Sequence, residues 1–429
     1  MRDSQEDTPR ITASMDSFWL MGYILLAAAA IVQAMLVAIN VYEHRRRALV
    51  RLKKISYYAP SGRVLVLSPC KGHDDNLEEN LRALLTQDYP DYEVTFIVED
   101  AGDAACPVIR RAMAACPETR ARLLVAGQAE ESGQKVHNLR MATAELSPEI
   151  RHLAFFDSDS RPKPHFVRAA IYKHYLPRIG ATTGYRWLIP QKPSASNHLV
   201  CAINCNVMAV LGRDSHHMVW GGSWAIRRET FEQLKIREAW AGMLSDDLVA
   251  SNRLRGSGLE VRFDPACVLT SPVDFDWPGM FDFVRRQYHI TRRYAFRWWL
   301  LALAAATAGN LAWLVSLAWL ACAVFSRPST AWLPASVLGI LYGLGLYRGW
   351  AMQSLAAVYS PENLAELRGV RRWQIWASPA VAFIQWLGLI ASAFGNRVRW
   401  RAIDYRLGTN GRVISRRILT TAEEAVGSG

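Results

Sequence analysis

The chain has 429 residues, 51% of them hydrophobic, and carries 50 Lys and Arg against 38 Asp and Glu, a net charge of +12. The basic residues adjoin long apolar stretches instead of forming a separate basic domain, which argues against nucleic-acid binding. Seven cysteines without a CxxC pair, and without a matching His/Cys pair, favour a reduced domain with no structural zinc site.

Residues 18–42 form the first uncharged stretch. A helix of this length, at about 1.5 Å per residue, crosses a hydrocarbon core roughly 30 Å thick. The stretch is too long for the apolar region of a cleaved signal peptide, and the basic residues follow it, so we expect a retained transmembrane helix. The basic run at 45–54 indicates that the chain after this helix lies inside, and that the arm at 1–17 lies outside.

Between residues 43 and 297, short apolar runs alternate with helical periodicity. The pattern predicts strands at 63–68, 92–98, 122–125 and 153–156, and helices at 74–85, 108–115 and 135–144. Such alternation is typical of one α/β domain with a mostly parallel sheet. Residues 197–211 are expected to form a helix, either on the membrane surface or in the protein core.

From residue 298 the chain is again apolar and rich in tryptophan. Stretches 298–325, 331–347 and 375–395 predict a membrane region at 298–396 with about three apolar helices, followed by a basic tail at 397–429. Four full spans would put the tail on the same side as the N-terminus, whereas its arginines favour the inside. Either one stretch is re-entrant or interfacial, or the tail is exported.

Acidic residues follow apolar runs or occupy turn-like loops at three places: Asp100, the pair Asp157 and Asp159, and the pair Asp246 and Asp247. The Asp157 pair directly follows the run at 153–156, at the edge where open α/β sheets bind ligands. Two carboxylates this close suit a hard divalent cation that holds a diphosphate. Each place alone is also compatible with a solvated turn or a helix N-cap, but their order indicates nucleotide chemistry.

These pieces resemble the membrane-integrated family 2 glycosyltransferases of the GT-A fold, above all their ceramide glucosyltransferase-like branch. The resemblance covers about residues 60–300 and, less closely, the C-terminal part. Its motifs are Ser68-Pro69-Cys70-Lys71-Gly72, Val98-Glu99-Asp100, Lys135-Val136-His137-Asn138-Leu139, Asp157-Ser158-Asp159, Ser245-Asp246-Asp247 and Trp400-Arg401-Ala402-Ile403-Asp404-Tyr405-Arg406-Leu407. Their order and spacing make the signal specific.

The resemblance implies a GT-A-type, Rossmann-like sheet domain flanked by transmembrane helices, and an inverting transfer from a UDP-sugar. Asp159, assisted by Asp157, would bind Mg²⁺ or Mn²⁺, which neutralises the leaving diphosphate. Asp247 would be the general base for the acceptor hydroxyl, with Asp246 as its acidic neighbour.

The resemblance also implies how the nucleotide is held. Asp100 would contact the uracil or ribose, beside the loop that contains Pro69, Lys71 and Gly72. Lys135 would lie near the nucleotide.

Polymerising members of the wider family carry a Gln/Arg-x-x-Arg-Trp motif. In the stretch around Arg286 and Gln287, His289-Ile290 stands where Arg-Trp is expected when counting from Arg286. Three side chains could donate hydrogen bonds to the diphosphate: Gln287, Arg292 and Arg293. Alternatively, they form a juxtamembrane cluster that anchors the next helix. The departure counts against a processive polymer channel.

Aromatic, glycine and histidine residues supply further candidates. Trp220, Gly221 and Gly222 are expected to form an acceptor or sugar loop, because paired glycines permit close backbone approach. His217, or its neighbour His216, is a candidate for the same loop. The tryptophans of this region either stack on a sugar or pack in the core: Trp187, Trp220 and Trp224.

Together these features predict an integral protein of the bacterial inner membrane with a cytoplasmic catalytic domain. It would transfer a sugar, glucose first among the candidates, to a lipid hydroxyl of ceramide, diacylglycerol or a related lipid. A processive polysaccharide synthase is the alternative enzyme. A non-catalytic membrane scaffold or transporter subunit is the alternative from another class.

Overall fold

The computed structural model describes residues 8–55, 60–73, 76–211, 217–326, 328–400 and 403–419. The start of the predicted helix at 74, the candidate His216, the tail residues Arg401 and Ala402, and the ends of the predicted arm and tail lie outside them. The strands are β1 (Arg63–Pro69), β2 (Tyr92–Val98), β3 (Arg120–Val125), β4 (Ile150–Phe156), β5 (Ile179–Pro190), β6 (Ser223–Arg227), β7 (Glu260–Val273), β8 (Arg397–Trp400), β9 (Ile403–Leu407) and β10 (Val413–Ile418).

The helices connect and flank these strands. They are α1 (Thr8–Lys53), α2 (Leu77–Leu85), α3 (Ala105–Ala115), α4 (Gln134–Ala142), α5 (Phe166–Ile171), α6 (Ala195–Met208), α7 (Arg228–Gln233), α8 (Ile236–Ala239), α9 (Asp246–Gly256), α10 (Trp277–Tyr294), α11 (Phe296–Ser326), α12 (Trp332–Gln353), α13 (Ala356–Tyr359), α14 (Leu367–Trp376) and α15 (Ser378–Ala391).

The large sheet has the strand order β3-β2-β1-β4-β6-β5-β7. Its strands pair in parallel except β6, which is antiparallel to both neighbours. The predicted α/β domain with a mostly parallel sheet is confirmed, and the four predicted strands form with small extensions. The central strands read as continuous apolar runs because helices cover both faces of a parallel sheet.

Strand β4 delivers the first acidic pair to the edge of the sheet. Phe155 stacks on Trp224 on one face, with ring centroids 4.0 Å apart, and Phe156 meets Phe166 edge-on on the other. Both strand residues are fully buried, so the end of β4 is fixed from two sides. Trp224, like Trp187, is fully buried and belongs to the core, not to a sugar-stacking surface.

Helix α6 corresponds to the helix predicted at 197–211. Most of its side chains are buried, and it packs against β5, α10, α14 and α15. The core interpretation is therefore the right one, and the membrane-surface interpretation is wrong. The sequence pattern could not separate the two interpretations, because polar residues are spread around the helix and leave no distinct polar face.

Two helices are long and apolar enough to cross a membrane: Ser17–Lys53, within α1, and Phe296–Phe325, within α11. The pair α14 and α15 would form a third span only if counted together, and it bends by 92° at its break. Helix α12 does not reach the same apolarity, although Val337 and Leu341 pack with residues of α1 and α11. These assignments consider the described residues alone.

Helix α12 runs back towards the catalytic domain. Its last turn meets the end of α1, where Arg45 Nε donates to Ser354 Oγ at 2.8 Å. At the other end of the bundle formed by α1, α11 and α12, Tyr23 Oη and Ser316 Oγ share a hydrogen bond of 2.8 Å. Helices α11 and α12 thus form a hairpin beside α1.

The C-terminal tail folds onto the catalytic domain as a small antiparallel sheet, β10-β9-β8. Buried Ile403, Tyr405 and Leu407 join the main core, and Val413 N donates to Gly242 O at 2.8 Å. The sequence interpretation missed these strands, although their buried residues alternate with a period of two. Tail and catalytic domain therefore lie on the same side of the bundle.

Gly349 is the point where α14 rests on α12. A Cβ added there would lie 2.5 Å from the backbone oxygen of Gln374, whereas one added at Gly343 of the same helix meets nothing within 4 Å. Gly349→Ala is therefore expected to destabilise the protein by about 1–3 kcal/mol through overpacking. Thermal unfolding in detergent would measure this, with Gly343→Ala as the matched control. Equal melting temperatures for the two variants would contradict the close packing.

Candidate active site

Lys135, near the start of α4, is the centre of a buried charge cluster. Its Nζ lies 2.7 Å from Asp157 Oδ1 and 3.2 Å from Asp246 Oδ1, and it donates to Gly221 O at 3.2 Å. Burial acts to lower the pKa of Lys135, but the surrounding carboxylates outweigh burial and raise it well above its usual value. The ammonium is therefore charged, and it joins three separate segments of the chain.

Asp246 and Asp247 occupy the first turn of α9, which Ser245 caps by accepting a hydrogen bond from Leu248 N. Asp246 is buried and faces Lys135, and its second oxygen has no hydrogen-bond partner among the described residues. Burial raises the pKa of Asp246 to about 7, against the opposing effect of Lys135. Asp247 is only partly buried, so it is the member of the pair that a substrate can reach.

Three donors fix the Asp247 carboxylate. Gly221 N donates to Oδ2 at 2.9 Å, Leu248 N donates to Oδ1 at 2.7 Å, and Ser245 Oγ donates to Oδ1 as well. A carboxylate offers about four acceptor positions, so one remains open. Asp247 is thus held in one orientation while keeping room for a further hydroxyl.

The loop Trp220-Gly221-Gly222 lies directly against the cluster, as predicted for a substrate loop. A Cβ at Gly221 would approach Lys135 Nζ to 3.0 Å, and a Cβ at Gly222 would lie 2.8 Å from Asp157 Oδ2 and closer still to the Trp220 ring. Gly222 O also accepts from Asp157 N at 3.2 Å. A side chain at Gly222 would therefore force its neighbours to move, and one at Gly221 would press on the Lys135 and Asp247 side chains.

Asp159 faces the open side of the site, with its side chain 46% exposed. Ser160 Oγ donates to Oδ1 at 3.2 Å, and Arg186 Nη1 lies 3.7 Å from Oδ2. Desolvation raises the pKa of Asp159, and Arg186 counteracts it. The Arg186 guanidinium also lies over the Trp220 ring, 5.2 Å from its centroid.

The predicted nucleotide loop forms its own set of contacts at the ends of β1 and β2. Lys71 Nζ pairs with Glu99 Oε1 at 2.8 Å, and Gly72 N donates to Asp103 Oδ1 at 2.8 Å. Asp100 is exposed and accepts from Gly102 N, whereas Glu99 is mostly buried with one oxygen unpartnered among the described residues. Pro69 precedes this loop as the last residue of β1. The sequence interpretation overlooked Glu99.

The predicted basic donors lie on α10. Arg292 and Arg293 both donate to Gly395 O, at 2.8 and 2.9 Å, and Arg292 also bonds Ala393 O, so they satisfy carbonyls beyond the end of α15. Gln287 is exposed. These contacts fit the alternative given for these residues in the sequence analysis, a cluster that anchors a neighbouring helix.

Arg286 is the member of the basic run that adjoins the site, and the sequence interpretation did not select it. Burial, then the charge of Arg186, lowers the pKa of Arg286 to about 10. Arg286 Nη1 also donates to Arg399 O at 3.1 Å, and Arg186, whose charge acts on Arg286, lies 3.7 Å from Asp159.

His217 is buried and packs edge-on against Phe263, with ring centroids 6.1 Å apart. The acceptor role predicted for His217 stays a prediction.

The C-terminal tail and helix α10 support the two segments that carry Lys135 and the Asp246–Asp247 pair. Tyr405 Oη accepts from Gln134 N at 3.2 Å, next to Lys135. Tyr294 Oη accepts from Leu244 N at 2.8 Å, just before Ser245, and donates to Gly411 O in the tail. These tyrosines are site supports that the sequence interpretation missed, because their partners are backbone groups far along the chain.

The raised pKa of Asp246 makes stability depend on pH. An unfolded Asp titrates near 3.9, so the folded state binds this proton more tightly and loses stability as pH rises from about 4 to 7. Asp246→Asn should flatten this decline, while Asp88→Asn, at an exposed ion pair with Arg168, should keep it. Melting temperatures measured across this pH range test the assignment. Parallel curves for wild type and Asp246→Asn would overturn it.

Comparisons with known proteins agree with this arrangement. A family model described as Glycosyl transferase family 21 matches residues 23–413. Ceramide glucosyltransferase 3 of Caenorhabditis elegans is 30% identical over 79 residues, 18% of this chain and 17% of the relative, so the match spans under a fifth of that protein. The resemblance to ceramide glucosyltransferase-like enzymes is confirmed.

Solved structures of glycosyltransferases show a distant likeness. The mannosyltransferase PcManGT from Pyrobaculum calidifontis, in complex with GDP-Man and Mn²⁺, matches with a TM-score of 0.47 and 20% identity over 86% of this chain and 97% of that chain. GalNAc-T7 with UDP, GalNAc and Mn²⁺ matches with a TM-score of 0.38 and 10% identity over 52% and 48%.

The family match begins within α1 and ends in β10, so it encloses the Lys135 cluster, the bundle and most of the tail sheet. The chain therefore belongs to glycosyl transferase family 21, and two of its described helices are long and apolar enough to cross a membrane.

Proposed function

We propose that the protein transfers a sugar, glucose from UDP-glucose in the first place, to a lipid hydroxyl at the membrane surface, with inversion. The observation that carries the proposal is the contact of Lys135 with both Asp157 and Asp246. This ion-paired cluster puts the predicted diphosphate side and the predicted base side of the site within one side chain of each other. A single displacement at an anomeric carbon needs both sides at that spacing.

Asp247 is proposed as the general base. Its carboxylate is oriented by Gly221 N and Leu248 N and retains one open acceptor position. An acceptor hydroxyl that donates to this position would lose its proton as the sugar bond forms. General-base catalysis of this kind contributes about 10²–10⁴-fold in rate.

A divalent ion, Mg²⁺ or Mn²⁺, is proposed beside Asp159. Among the described residues no group of three or more metal-ligating side chains comes together, which fits an ion held by one or two carboxylates and the phosphates of the substrate. Asp159 has the open, half-exposed carboxylate that such a site needs, while Asp157 is engaged by Lys135. When bound, the ion would neutralise charge on the leaving diphosphate.

Arg186 and Arg286 are proposed to bind the diphosphate from the protein side. Burial, and after it the charge of Arg186, lowers the pKa of Arg286, and a bound anion would offset both effects. Arg292 and Arg293 are left with their structural contacts to the segment after α15.

The rim formed by Lys71, Glu99 and Asp100 is proposed to bind the nucleoside. The buried, unpartnered oxygen of Glu99 offers an acceptor for a ribose hydroxyl, and Asp100 offers an exposed carboxylate next to it. The contact between Lys71 and Glu99 supports a shared role.

A lipid acceptor is supported by the family and by the bundle beside the site. The juxtamembrane arginines of α1 favour a catalytic domain on the cytoplasmic side of a bacterial inner membrane. Ceramide, diacylglycerol and related lipids present the required hydroxyl at that surface.

Removing the base tests the proposed chemistry. Asp247→Asn should lower the rate of transfer by about 10²–10⁴-fold with UDP binding retained, because the acceptor proton loses its carboxylate. Mass spectrometry of lipid products formed from UDP-glucose measures transfer, and calorimetry with UDP measures binding. Asp88→Asn is the control.

Each outcome of this assay is informative. Undiminished transfer by Asp247→Asn would contradict the assignment of Asp247 as the general base. Products that lengthen with time would favour the polysaccharide synthase, and the absence of both transfer and UDP binding in wild type would favour a non-catalytic scaffold.

Metal removal tests the proposed ion. A chelator should abolish transfer and weaken UDP binding, and Mg²⁺ or Mn²⁺ should restore both. Asp159→Asn should need a metal concentration on the order of 10-fold higher or more, since a ligand is lost. Metal-independent UDP binding by wild type, measured by calorimetry, would contradict the ion site.

A further inference from the structure

A second cavity lies away from the catalytic cluster, between α12 and α14. Its volume is about 620 Å³, within the usual range for ligand sites. One wall is basic and comes from α14; the other is aromatic and apolar and comes mainly from α12. None of the residues assigned to sugar transfer lines it.

The basic wall consists of Arg368, Arg371 and Arg372. Arg371 and Arg372 lie three and four residues after Arg368, so both are its neighbours on the surface of α14. In the described ranges, none of the three guanidiniums makes a hydrogen bond or an ion pair, and no carboxylate lines the cavity. Leu367, Val370 and Gln374 of α14 are buried, whereas the three arginines are exposed. Among the described residues, no carboxylate of the cavity wall therefore balances their charge.

The apolar wall places the cavity at the membrane boundary. Trp350 and Trp376 are 50% and 64% exposed, and they flank the cavity together with Tyr347. Such aromatic rings favour the headgroup level of a bilayer. Arg45, the first residue of the basic run after the predicted span, lies over the Trp350 ring at 6.0 Å. That contact fixes the cavity on the side of the bundle that carries the catalytic domain.

We propose that this cavity binds the phosphate headgroup of an anionic phospholipid from the leaflet next to the catalytic domain. Three guanidiniums match the phosphate oxygens, and the aromatic wall matches the glycerol and the upper acyl chains. The proposal rests on the membrane placement of the bundle and is independent of the donor and acceptor assignments.

The bound headgroup would hold the bent pair α14–α15 at the surface. Gln374, on the buried face of α14, accepts from Gln353 Nε2 at 2.8 Å and donates to Asn206 Oδ1 at 3.3 Å. A lipid that clamps α14 against α12 therefore also steadies α6 through these side chains. Thermal stability is the property expected to respond.

The test uses the full chain in a neutral detergent with added phosphatidylglycerol or phosphatidylcholine. Phosphatidylglycerol should raise the melting temperature and remain bound in native mass spectrometry, whereas phosphatidylcholine should do neither. Arg371→Gln/Arg372→Gln should weaken phosphatidylglycerol binding about 25-fold, because each basic residue near an anionic surface contributes roughly a factor of five. Lys53→Gln/Lys54→Gln removes the same charge from exposed juxtamembrane positions and should bind like wild type.

Glycerol 3-phosphate at the same concentration separates a lipid from a free phosphate, and it should not stabilise the protein. Equal binding by the cavity variant and the Lys53/Lys54 control would overturn the proposal, as would stabilisation by glycerol 3-phosphate alone. If the double variant does not fold, Arg371→Gln and Arg372→Gln are measured singly, each with an expected loss of about fivefold. Retention of transfer activity in these variants would separate this site from the catalytic one.

Discussion

The buried ammonium of Lys135 is the interaction on which the active site depends. Removing an ammonium and two carboxylates from water costs several kcal/mol per ion, which the ion pairs repay only in good geometry. Here the geometry is supplied by three segments: the end of β4, the start of α9 and the loop before β6. Loss of Lys135 would leave Asp157 and Asp246 facing each other, so the lysine is as much a condition of the fold at this edge as a ligand for substrate.

The charge cluster dictates the backbone around it. A side chain at Gly221 would press on the cluster, because its Cβ would lie 3.0 Å from Lys135 Nζ and 3.1 Å from Asp247 Oδ2. The supports lie further out, where Tyr405 fixes the turn before Lys135 and Tyr294 fixes the turn before Asp246. Both tyrosines connect to the tail, so the last strands of the chain complete a site whose reactive residues all come from its first 250.

Much of the fold followed from local pattern, and most of what did not depends on distant contacts. Apolar runs and helical periodicity predicted β1 to β4 and the helices between them, and the position of Asp157 after β4 followed from those runs. Sequence spacing could not predict the pairing of Lys135 with Asp246, because the two residues lie more than 100 positions apart in the chain. The same limit hid Arg286, Glu99 and the tail tyrosines. His217 was one of the candidates for the substrate loop, and only the structure shows that it is buried and packs against Phe263.

The tail bears on the topology that the sequence left open. Strands β8 to β10 pack on the domain that precedes α10, so both ends of the chain between α10 and β8 lie on one side of the bundle. Within that stretch, α11 is long and apolar enough to cross a membrane, whereas α12 is less apolar and the pair α14–α15 bends by 92° at its break. Helix α12 nevertheless ends beside Arg45 of α1, so α11 and α12 run out from the domain and back to it. The arginine-rich tail therefore lies on the same side as the basic run that follows the first apolar stretch, which is the arrangement that the charge rule favours.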